Sequence, residues 1–308
     1  MFRSRLAWAY LLFVALVWAL GEAVGERRWP TLLLAYAPPL LWLLPAPFVL
    51  LWTLARRRGV AVALAGALLA AWGAQLLHWR AQSPGTLRVL TYNVGRGGLG
   101  SAERLAETIG SADADIVLLQ ESNFYRPEDL GVIRAALPGY RMVKAYEVTT
   151  LTRLPVLDSA WYDLPANNRD VLLTRLRWQG QDLNVVNAHL GTVTVSSLLK
   201  GDLARLQRTR TARLGQVKVL ERIAVGAGEG ALLLGGDLNT PPRGQLYRRM
   251  QTAFGPDAHD LAGRGPGWTF PSLKVRIDHV LSRDLTPTRT QVLNVPGSDH
   301  LPLLVEYR

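Results

Sequence analysis

Three long apolar stretches without a charged side chain occupy the first 80 residues, and they limit what this chain can fold into. They cover residues 6–21, 31–55 and 60–79. A helix needs about 20 apolar residues to cross the hydrocarbon core of a bilayer, whereas surface helices of soluble proteins carry charges on one face. The sequence therefore predicts an all-α transmembrane anchor at residues 1–80, with about three spans at 6–22, 31–55 and 60–79.

Two of these stretches admit a second interpretation. The first follows Arg3 and Arg5, as the apolar part of a cleaved secretory signal does, but no convincing small-x-small cleavage site follows it. The second contains four prolines between residues 38 and 47, which is typical of a kinked span or a re-entrant pair. We expect an uncleaved anchor whose second span is kinked or re-entrant.

The arginines predict how this anchor sits in a cell membrane. More than half of the net charge of +11 lies beside the apolar stretches, as eight Arg against two Glu. In a three-span anchor Arg3, Arg5 and residues 56–58 share one side, which the positive-inside rule places in the cytoplasm. The following domain is then extracytoplasmic. Its linker, residues 81–86, spans only about 20–25 Å at roughly 3.3–3.6 Å per residue, which keeps the domain close to the bilayer.

From residue 87 the sequence reads as a globular domain of short strands and a few helices. Strands are predicted at 87–91, 115–119, 171–178, 183–188, 231–234, 276–281 and 303–307, and helices at 102–110 and 203–225. Many strands with few helices indicate two packed sheets with helices outside. The chain has no cysteine, which excludes disulfides, thiolate metal sites and a cysteine nucleophile.

Polar residues of a restricted set of types stand at or beyond the ends of these strands. They are Asn93, Glu121, His189, Asp237, Asn239, Asp278, Asp299 and His300. Each alone fits an ordinary role, such as capping a turn or filling a core. Strand ends at one edge of a sheet converge, however, and unrelated positions would not repeatedly hold Asn, Asp, Glu and His. We therefore expect these side chains to form one site.

The chemistry of this set indicates a hard divalent cation and a hydrolytic reaction. Mg²⁺ and Mn²⁺ prefer oxygen ligands, usually one or two carboxylates together with water and substrate phosphate, whereas zinc would call for more imidazole. A histidine held by a carboxylate can orient or deprotonate water. Amides and imidazoles can donate hydrogen bonds to phosphoryl oxygens in a transition state.

Six short segments that contain these residues resemble a known superfamily. They are Thr91-Tyr-Asn-Val94, Leu119-Gln-Glu-Ser122, Asn187-Ala-His-Leu190, Gly235-Gly-Asp-Leu-Asn239, Arg276-Ile-Asp-His279 and Ser298-Asp-His-Leu-Pro302. In this order they resemble the endonuclease/exonuclease/phosphatase (DNase I-like) superfamily, and in particular its membrane-anchored bacterial members. The resemblance covers residues 87–308. It implies an α+β fold, a four-layer α/β sandwich, and a metal-dependent hydrolase acting on phosphoester bonds.

The resemblance also implies a role for each site residue. Asn93, Glu121 and Asp299 would form the metal site for Mg²⁺ or Mn²⁺, with Glu121 as the principal ligand. The catalytic group would comprise His189, Asp237, Asn239, Asp278 and His300. In this group Asp237 or His300 would act as the base, Asp278 would orient His300, and Asn239 and His189 would contact the phosphoryl group.

Two positions depart from the pattern of the superfamily. Gly95 stands where some nucleases have an acidic residue, which puts a second metal contact in doubt. His279 stands where many members have an aromatic residue, and we expect it to pack beside Asp278 and not to bind metal.

The substrate is the least constrained part of the prediction. The anchor, the short linker and the mixed apolar and hydroxyl segment 193–199 favour a phosphoester or pyrophosphate on a lipid or at the membrane surface. Lys200, Arg205 and Arg208, with Arg210 and Arg213, form a basic stretch that could contact the substrate or follow a nucleic-acid backbone, so an extracytoplasmic nuclease is the second hypothesis. A solvated helix face is the simpler interpretation of that stretch. A non-catalytic binding domain is the third hypothesis, but it predicts loss of a motif residue, and all six motifs are filled.

Overall fold

Two β-sheets lie face to face in the computed structural model, which describes residues 4–166 and 169–308. The helices are α1 (Arg5–Ala23), α2 (Trp29–Tyr36), α3 (Ala46–Ala55), α4 (Val60–Gly73), α5 (Ala102–Ala112), α6 (Asp129–Ala136), α7 (Leu203–Gly226), α8 (Gly244–Phe254) and α9 (Ala258–Ala262). The strands are β1 (Leu87–Asn93), β2 (Ile116–Gln120), β3 (Arg141–Lys144), β4 (Thr149–Thr152), β5 (Val156–Asp163), β6 (Asp170–Trp178), β7 (Gln181–Ala188), β8 (Ala231–Asp237), β9 (Asp278–Arg283), β10 (Pro287–Val292) and β11 (Leu303–Tyr307).

The first sheet has the strand order β10-β11-β1-β2-β4-β3 and the second the order β5-β6-β7-β8-β9. Both are mixed, because the central pairs β1–β2 and β7–β8 are parallel while the other neighbours are antiparallel. Helices α5 and α6 cover the first sheet, and α7 and α8 cover the second. The predicted pair of packed sheets flanked by helices is therefore confirmed.

The apolar pattern of each element explains these layers. Residues of β1, β2, β7, β8, β9 and β11 are buried between the sheets, so the central strands are apolar on both faces. In α5 the buried Leu105 and Ile109 are four residues apart and face the first sheet. The Ser101 hydroxyl accepts a hydrogen bond from the Arg104 amide at 3.3 Å and so begins this helix.

Strand register brings the polar strand ends to one edge of the sandwich. In the first sheet Asn93 is paired with Gln120, at the carboxyl ends of two parallel strands. In the second sheet Asn187 is paired with Gly235, so the residues that follow each, including His189 and Asp237, leave the same edge. Asp237 is also paired with Asp278, the first residue of the antiparallel strand β9. The convergence of strand ends expected from the sequence thus follows from the observed pairing.

The N-terminal apolar stretches form shorter and more bent helices than three straight spans would. Among the described residues one helix, Arg5–Ala23, is long and apolar enough to cross a membrane. The second stretch is bent by 84° between Trp29–Tyr36 and Pro39–Ala55, and it counts as a further span only if both pieces are taken together. The third is helical over Val60–Gly73 alone. Three spans therefore stay a prediction, and Arg3 lies outside the described residues.

Polar contacts fix this N-terminal region to the globular domain. The guanidinium of Arg243 is buried and donates to the carbonyl oxygens of Ala35, at 2.6 Å, and Ala37. The buried Glu26 carboxylate accepts from the Gln245 amide at 2.9 Å. Burial lowers the pKa of Arg243 to about 10, although Glu26 acts to raise it, so the arginine stays charged at neutral pH. The apolar region is therefore part of the packed structure of the domain.

The predicted linker also lies against the domain. The Arg80 amide donates to Gly263 O at 3.0 Å, the Gln82 side chain to Ala262 O at 2.7 Å, and the Ser83 amide to Thr288 O at 3.0 Å. These contacts hold the segment from Arg80 to Ser83 against the domain.

Gly236, in β8, lies very close to the backbone of Ala188 in β7, beside the site. Its substitution tests this close approach of the two strands. Gly236 has a φ of +147°, and a Cβ at this position would overlap the carbonyl oxygen of Ala188. We predict that Gly236→Ala lowers the free energy of unfolding by roughly 3 kcal/mol or more, because overlap with backbone adds to the strain of the φ angle.

Gly180→Ala is the matched control, because Gly180 also has a positive φ, +77°, but nothing lies within 4 Å of its added Cβ. It should cost only about 1 kcal/mol. Thermal and denaturant unfolding measure both variants, and equal losses would contradict the proposed overlap.

Candidate active site

The carboxylate of Asp237 lies at the centre of the converging strand ends. Its Oδ2 accepts a hydrogen bond from Asn93 Nδ2 at 3.0 Å, and its Oδ1 accepts one from the Asn239 amide at 2.9 Å. Two donors from two different segments therefore fix its orientation. Asn239 is oriented in turn, since its Nδ2 donates to Leu190 O at 2.9 Å.

His300 lies on one side of Asp237 and is paired with Asp278. Its Nδ1 is 2.9 Å from Asp278 Oδ2, and its Nε2 is 3.7 Å from Asp237 Oδ2. Burial lowers the pKa of His300, but the carboxylates of Asp278 and Asp237 more than offset this and raise the pKa to about 10. This shift favours the imidazolium form, in which Nε2 carries a proton that it can donate.

His189 lies on the other side of Asp237. Its Nδ1 is 3.0 Å from Glu147 Oε2 and 2.6 Å from Arg169 Nη1, which can only donate a hydrogen bond. Its Nε2 is 3.5 Å from Asp237 Oδ2 and 3.9 Å from Glu121 Oε1, so this atom faces the other site residues. The two histidines thus flank one carboxylate, each with its own acidic partner behind it.

Glu121 and Asp299 line the same cavity as this group. Glu121 has a left-handed backbone, with φ of +52°, directly after β2, and its carboxylate is one-quarter exposed. Asp299 is exposed, in the loop before β11. The left-handed backbone at Glu121 is uncommon for a residue with a side chain and often accompanies functional sites.

Sequence reasoning missed two residues of the site, Arg169 and Glu147. Arg169 Nη1 lies 3.3 Å from Glu121 Oε1, 2.9 Å from Glu147 Oε2 and 2.6 Å from His189 Nδ1. Neither belongs to one of the six segments. Glu147 precedes β4 and Arg169 precedes β6, and their positions depend on how these two segments fold back over the strand ends. No local sequence pattern predicts this folding.

Seven of the eight residues predicted at the strand ends line a single cavity of about 1310 Å³. They are Asn93, Glu121, His189, Asp237, Asn239, Asp299 and His300. The eighth, Asp278, is buried behind His300. His279, expected to pack, is fully buried, with Nδ1 2.6 Å from Asp257 Oδ2 and Nε2 2.8 Å from Thr240 O.

The residues of the basic stretch do not all lie on one solvated helix face, as the simpler interpretation expected. Lys200, Arg205 and Arg208 are exposed and do not line the cavity, because α7 turns Leu206 inward against Leu32. The contact with substrate that was predicted for these three residues would therefore lie outside the cavity.

Arg213, expected on a solvated face, is fully buried instead. Its guanidinium donates to Gly191 O and Thr240 Oγ1, and to Leu238 O at 3.0 Å. These acceptors belong to the two loops that follow β7 and β8. Arg213 therefore joins the loops that carry His189, Asp237 and Asn239.

The donor set of the cavity fits a divalent cation of the Mg²⁺ or Mn²⁺ type. The side chains of Asp237, Asp278 and His300 each offer an atom within 4.8 Å of the others, and Asp278 Oδ1 is buried without a hydrogen-bond partner. The predicted ligands Asn93, Glu121 and Asp299 add oxygen donors on the same cavity wall. Oxygen donors with few imidazoles suit hard cations.

Residues 90–300 match the sequence model of the endonuclease/exonuclease/phosphatase family. The chain belongs to this family. Its members are divalent-metal-dependent enzymes, and this chain is accordingly a hydrolase that acts on phosphoester bonds. The matched range contains every residue assigned above to the site.

Several solved structures share the fold of this chain. An endonuclease/exonuclease/phosphatase protein from Bacteroides vulgatus is 21% identical, with a TM-score of 0.58 over 72% of this chain and 98% of that one. A mannosyl-6-phosphatase from Bacteroides thetaiotaomicron is 18% identical, with a TM-score of 0.56 over 72% and 100%. TDP2 of D. rerio, complexed with a single-strand DNA product, is 16% identical, with a TM-score of 0.54 over 72% and 98%. No curated protein is a significant match to the chain.

Glu121 provides a test of the metal site. We predict that Glu121→Gln weakens binding of Mn²⁺ by at least about tenfold. Loss of a residue that only hydrogen-bonds to a metal ligand commonly costs about 10–100-fold in metal affinity, and loss of a ligand itself should cost no less. Calorimetric titration of Mn²⁺ into the detergent-solubilised chain measures this.

Glu128→Gln, at an exposed position outside the cavity, is the control and should bind as the unchanged chain does. A full loss of binding in Asp278→Asn with no change in Glu121→Gln would place the ion among Asp237, Asp278 and His300 instead.

Proposed function

We propose that the protein is a membrane-anchored phosphoesterase that uses Mg²⁺ or Mn²⁺ and hydrolyses a phosphoester or pyrophosphate bond on a lipid-linked or membrane-proximal substrate. One observation carries the finer part of this proposal. The cavity that contains Asp237 and His300 is also lined by Leu33, Tyr36 and Leu41 from the N-terminal apolar region. A site built partly from a membrane segment favours a substrate that is itself at the membrane.

The side chains support an in-line attack of water on the phosphorus atom. Asp237, oriented by Asn93 and the Asn239 amide, takes a proton from the attacking water. His300, held by Asp278, and His189, held by Glu147, direct their Nε2 atoms towards the cavity and donate to phosphoryl oxygens as charge develops on them. A divalent cation held by Asn93, Glu121 and Asp299 would neutralise phosphate charge and act as a Lewis acid. The P–O bond to the leaving group breaks as the bond from water forms, and the leaving oxygen takes up a proton from solvent.

An extracytoplasmic nuclease is the alternative. The fold of a neighbour complexed with single-strand DNA product and the exposed Lys200, Arg205 and Arg208 favour it. These cations lie outside the cavity, however, and its wall is largely apolar. A nucleic-acid channel usually combines a basic groove with aromatic stacking platforms. The lipid-linked substrate therefore remains the first choice.

The reaction is tested with the solubilised full chain. We predict that Mg²⁺ or Mn²⁺ supports hydrolysis of a polyprenyl pyrophosphate, sphingomyelin or a phosphoinositide in preference to plasmid DNA, and that a chelator abolishes it. Asp237→Asn should lower kcat by roughly 10²–10⁴-fold, the usual range for a general base.

Asp158→Asn, at an exposed position in the edge strand β5, is the matched control and should leave kcat unchanged. Efficient DNA cleavage without lipid turnover would favour the nuclease. Turnover that survives both the chelator and Asp237→Asn would refute the mechanism.

Sidedness is tested in cells. We predict that alkaline phosphatase fused after Arg308 is active, because the catalytic domain is proposed to be extracytoplasmic. Phosphatase activity of the reporter is measured on intact cells. An inactive C-terminal fusion together with fluorescence of a green fluorescent protein fused at the same point would place the domain in the cytoplasm.

A further inference from the structure

One wall of the active-site cavity comes from the N-terminal region and not from the family domain. Leu33 lies in α2, and Leu41 lies in the short 3₁₀ helix Pro39–Leu43 that follows it. Both precede residues 90–300, the range that matches the family. They face the same cavity as Val193, Val195 and Leu273 of the domain. This chain has therefore added an apolar wall to a site whose polar residues belong to the family.

The cavity is larger and more apolar than a phosphate requires. Its volume is about 1310 Å³, whereas sites for whole drug-sized ligands usually have about 300–1,000 Å³. Asn93, Asn239, His189 and His300 lie around Asp237, and the rest of the lining is mainly apolar, with a few further polar residues such as Thr194 and Ser196. A ligand that fills this space has one phosphate end and one hydrocarbon end, because polar groups bound against the apolar wall would lose hydrogen bonds to water.

The added wall is held firmly and is not a loosely attached helix. Leu32 is fully buried against Val193 and Leu206 on the side of α2 that contacts the domain. The end of α2 is held by the hydrogen bonds from Arg243 to Ala35 O and Ala37 O. Since Leu33 follows Leu32 directly, its position at the cavity is fixed by the same contacts.

We propose that residues 29–43 complete the active site as the binding surface for a hydrocarbon chain attached to the phosphate of the substrate. Leu33 and Leu41, which line the cavity together with Val193, Val195 and Leu273, are the specificity-determining residues, and the substrate class is the phosphate ester of a long hydrocarbon chain. This deepens the proposed function and rests on it, because the phosphate is placed at Asp237. The N-terminal region then selects the substrate as well as anchoring the enzyme.

The test measures binding of n-alkylphosphonates, whose carbon–phosphorus bond is not hydrolysed by a phosphoesterase. Methyl-, butyl-, hexyl- and octylphosphonate are titrated with Mg²⁺ into the full chain in lipid nanodiscs, and empty nanodiscs correct for partitioning. Each methylene that leaves water contributes about 0.8 kcal/mol, which is about fourfold in affinity. We expect the corrected affinity to rise by up to that factor per methylene.

The matched variants are Leu41→Asn and Leu44→Asn. Both leucines are exposed and only three residues apart, but Leu44 does not line the cavity. Leu41→Asn should weaken octylphosphonate by about tenfold and leave methylphosphonate unchanged, while Leu44→Asn changes neither. Leu41→Trp, which fills the apolar end, should weaken octylphosphonate more than butylphosphonate.

The outcomes separate this inference from the proposed function. A corrected affinity independent of chain length, or equal effects of Leu41→Asn and Leu44→Asn, would overturn the hydrocarbon site even if lipid phosphoesters are hydrolysed. Affinity that depends on chain length and is lost selectively in Leu41→Asn supports the site. That result stands even if the hydrolysis assay fails, which would refute the proposed reaction alone.

Discussion

Gln120 and Asn187 join the two sheets by a buried hydrogen bond, with Gln120 Nε2 donating to Asn187 Oδ1 at 2.8 Å. The amide of Asn187 also donates to Leu119 O at 3.2 Å and Thr149 O at 3.0 Å, both in the first sheet. These residues stand one and two positions before Glu121 and His189. Because a buried polar group without a partner is costly, the sheets are held in the one relative position in which all these bonds form. That position brings the predicted metal-site and catalytic residues from different sheets around one cavity.

Much of the site could be predicted because its residues belong to strand ends. Buried strands are recognisable as apolar runs, and the polar residue that ends each run stands out, so Asn93, Glu121 and Asp237 could be placed together before the structure was known. Glu147 and Arg169 could not, because their contacts with His189 depend on segments without a recognisable pattern. The same limit applies to the arginines of α7, which look alike in sequence. Arg213 is buried only because of its tertiary contacts with the loops after β7 and β8.

The N-terminal region shows what hydropathy can and cannot predict. Length and lack of charge indicate helices that fit a bilayer, and the prolines at residues 38–47 correctly indicated a break in the second stretch. Hydropathy does not distinguish an apolar face that meets lipid from one that meets protein. The contacts of Arg243 decide this for α2, because its buried guanidinium donates to Ala35 O in that helix and ties it to the domain. An apolar helix can thus form part of an enzyme site, which its composition alone would not indicate.

Charge around the cavity explains why this arrangement calls for a divalent cation. The carboxylates of Glu121, Asp237 and Asp299 line the cavity, with Asp278 and Glu147 behind the two histidines. Arg169 is the one arginine or lysine among the described lining residues. A phosphate that enters adds negative charge in a partly buried site, where repulsion is stronger than in water. A divalent cation held by the predicted ligands Asn93, Glu121 and Asp299 would reduce this repulsion, and its charge would then assist substrate binding as well as the chemical step.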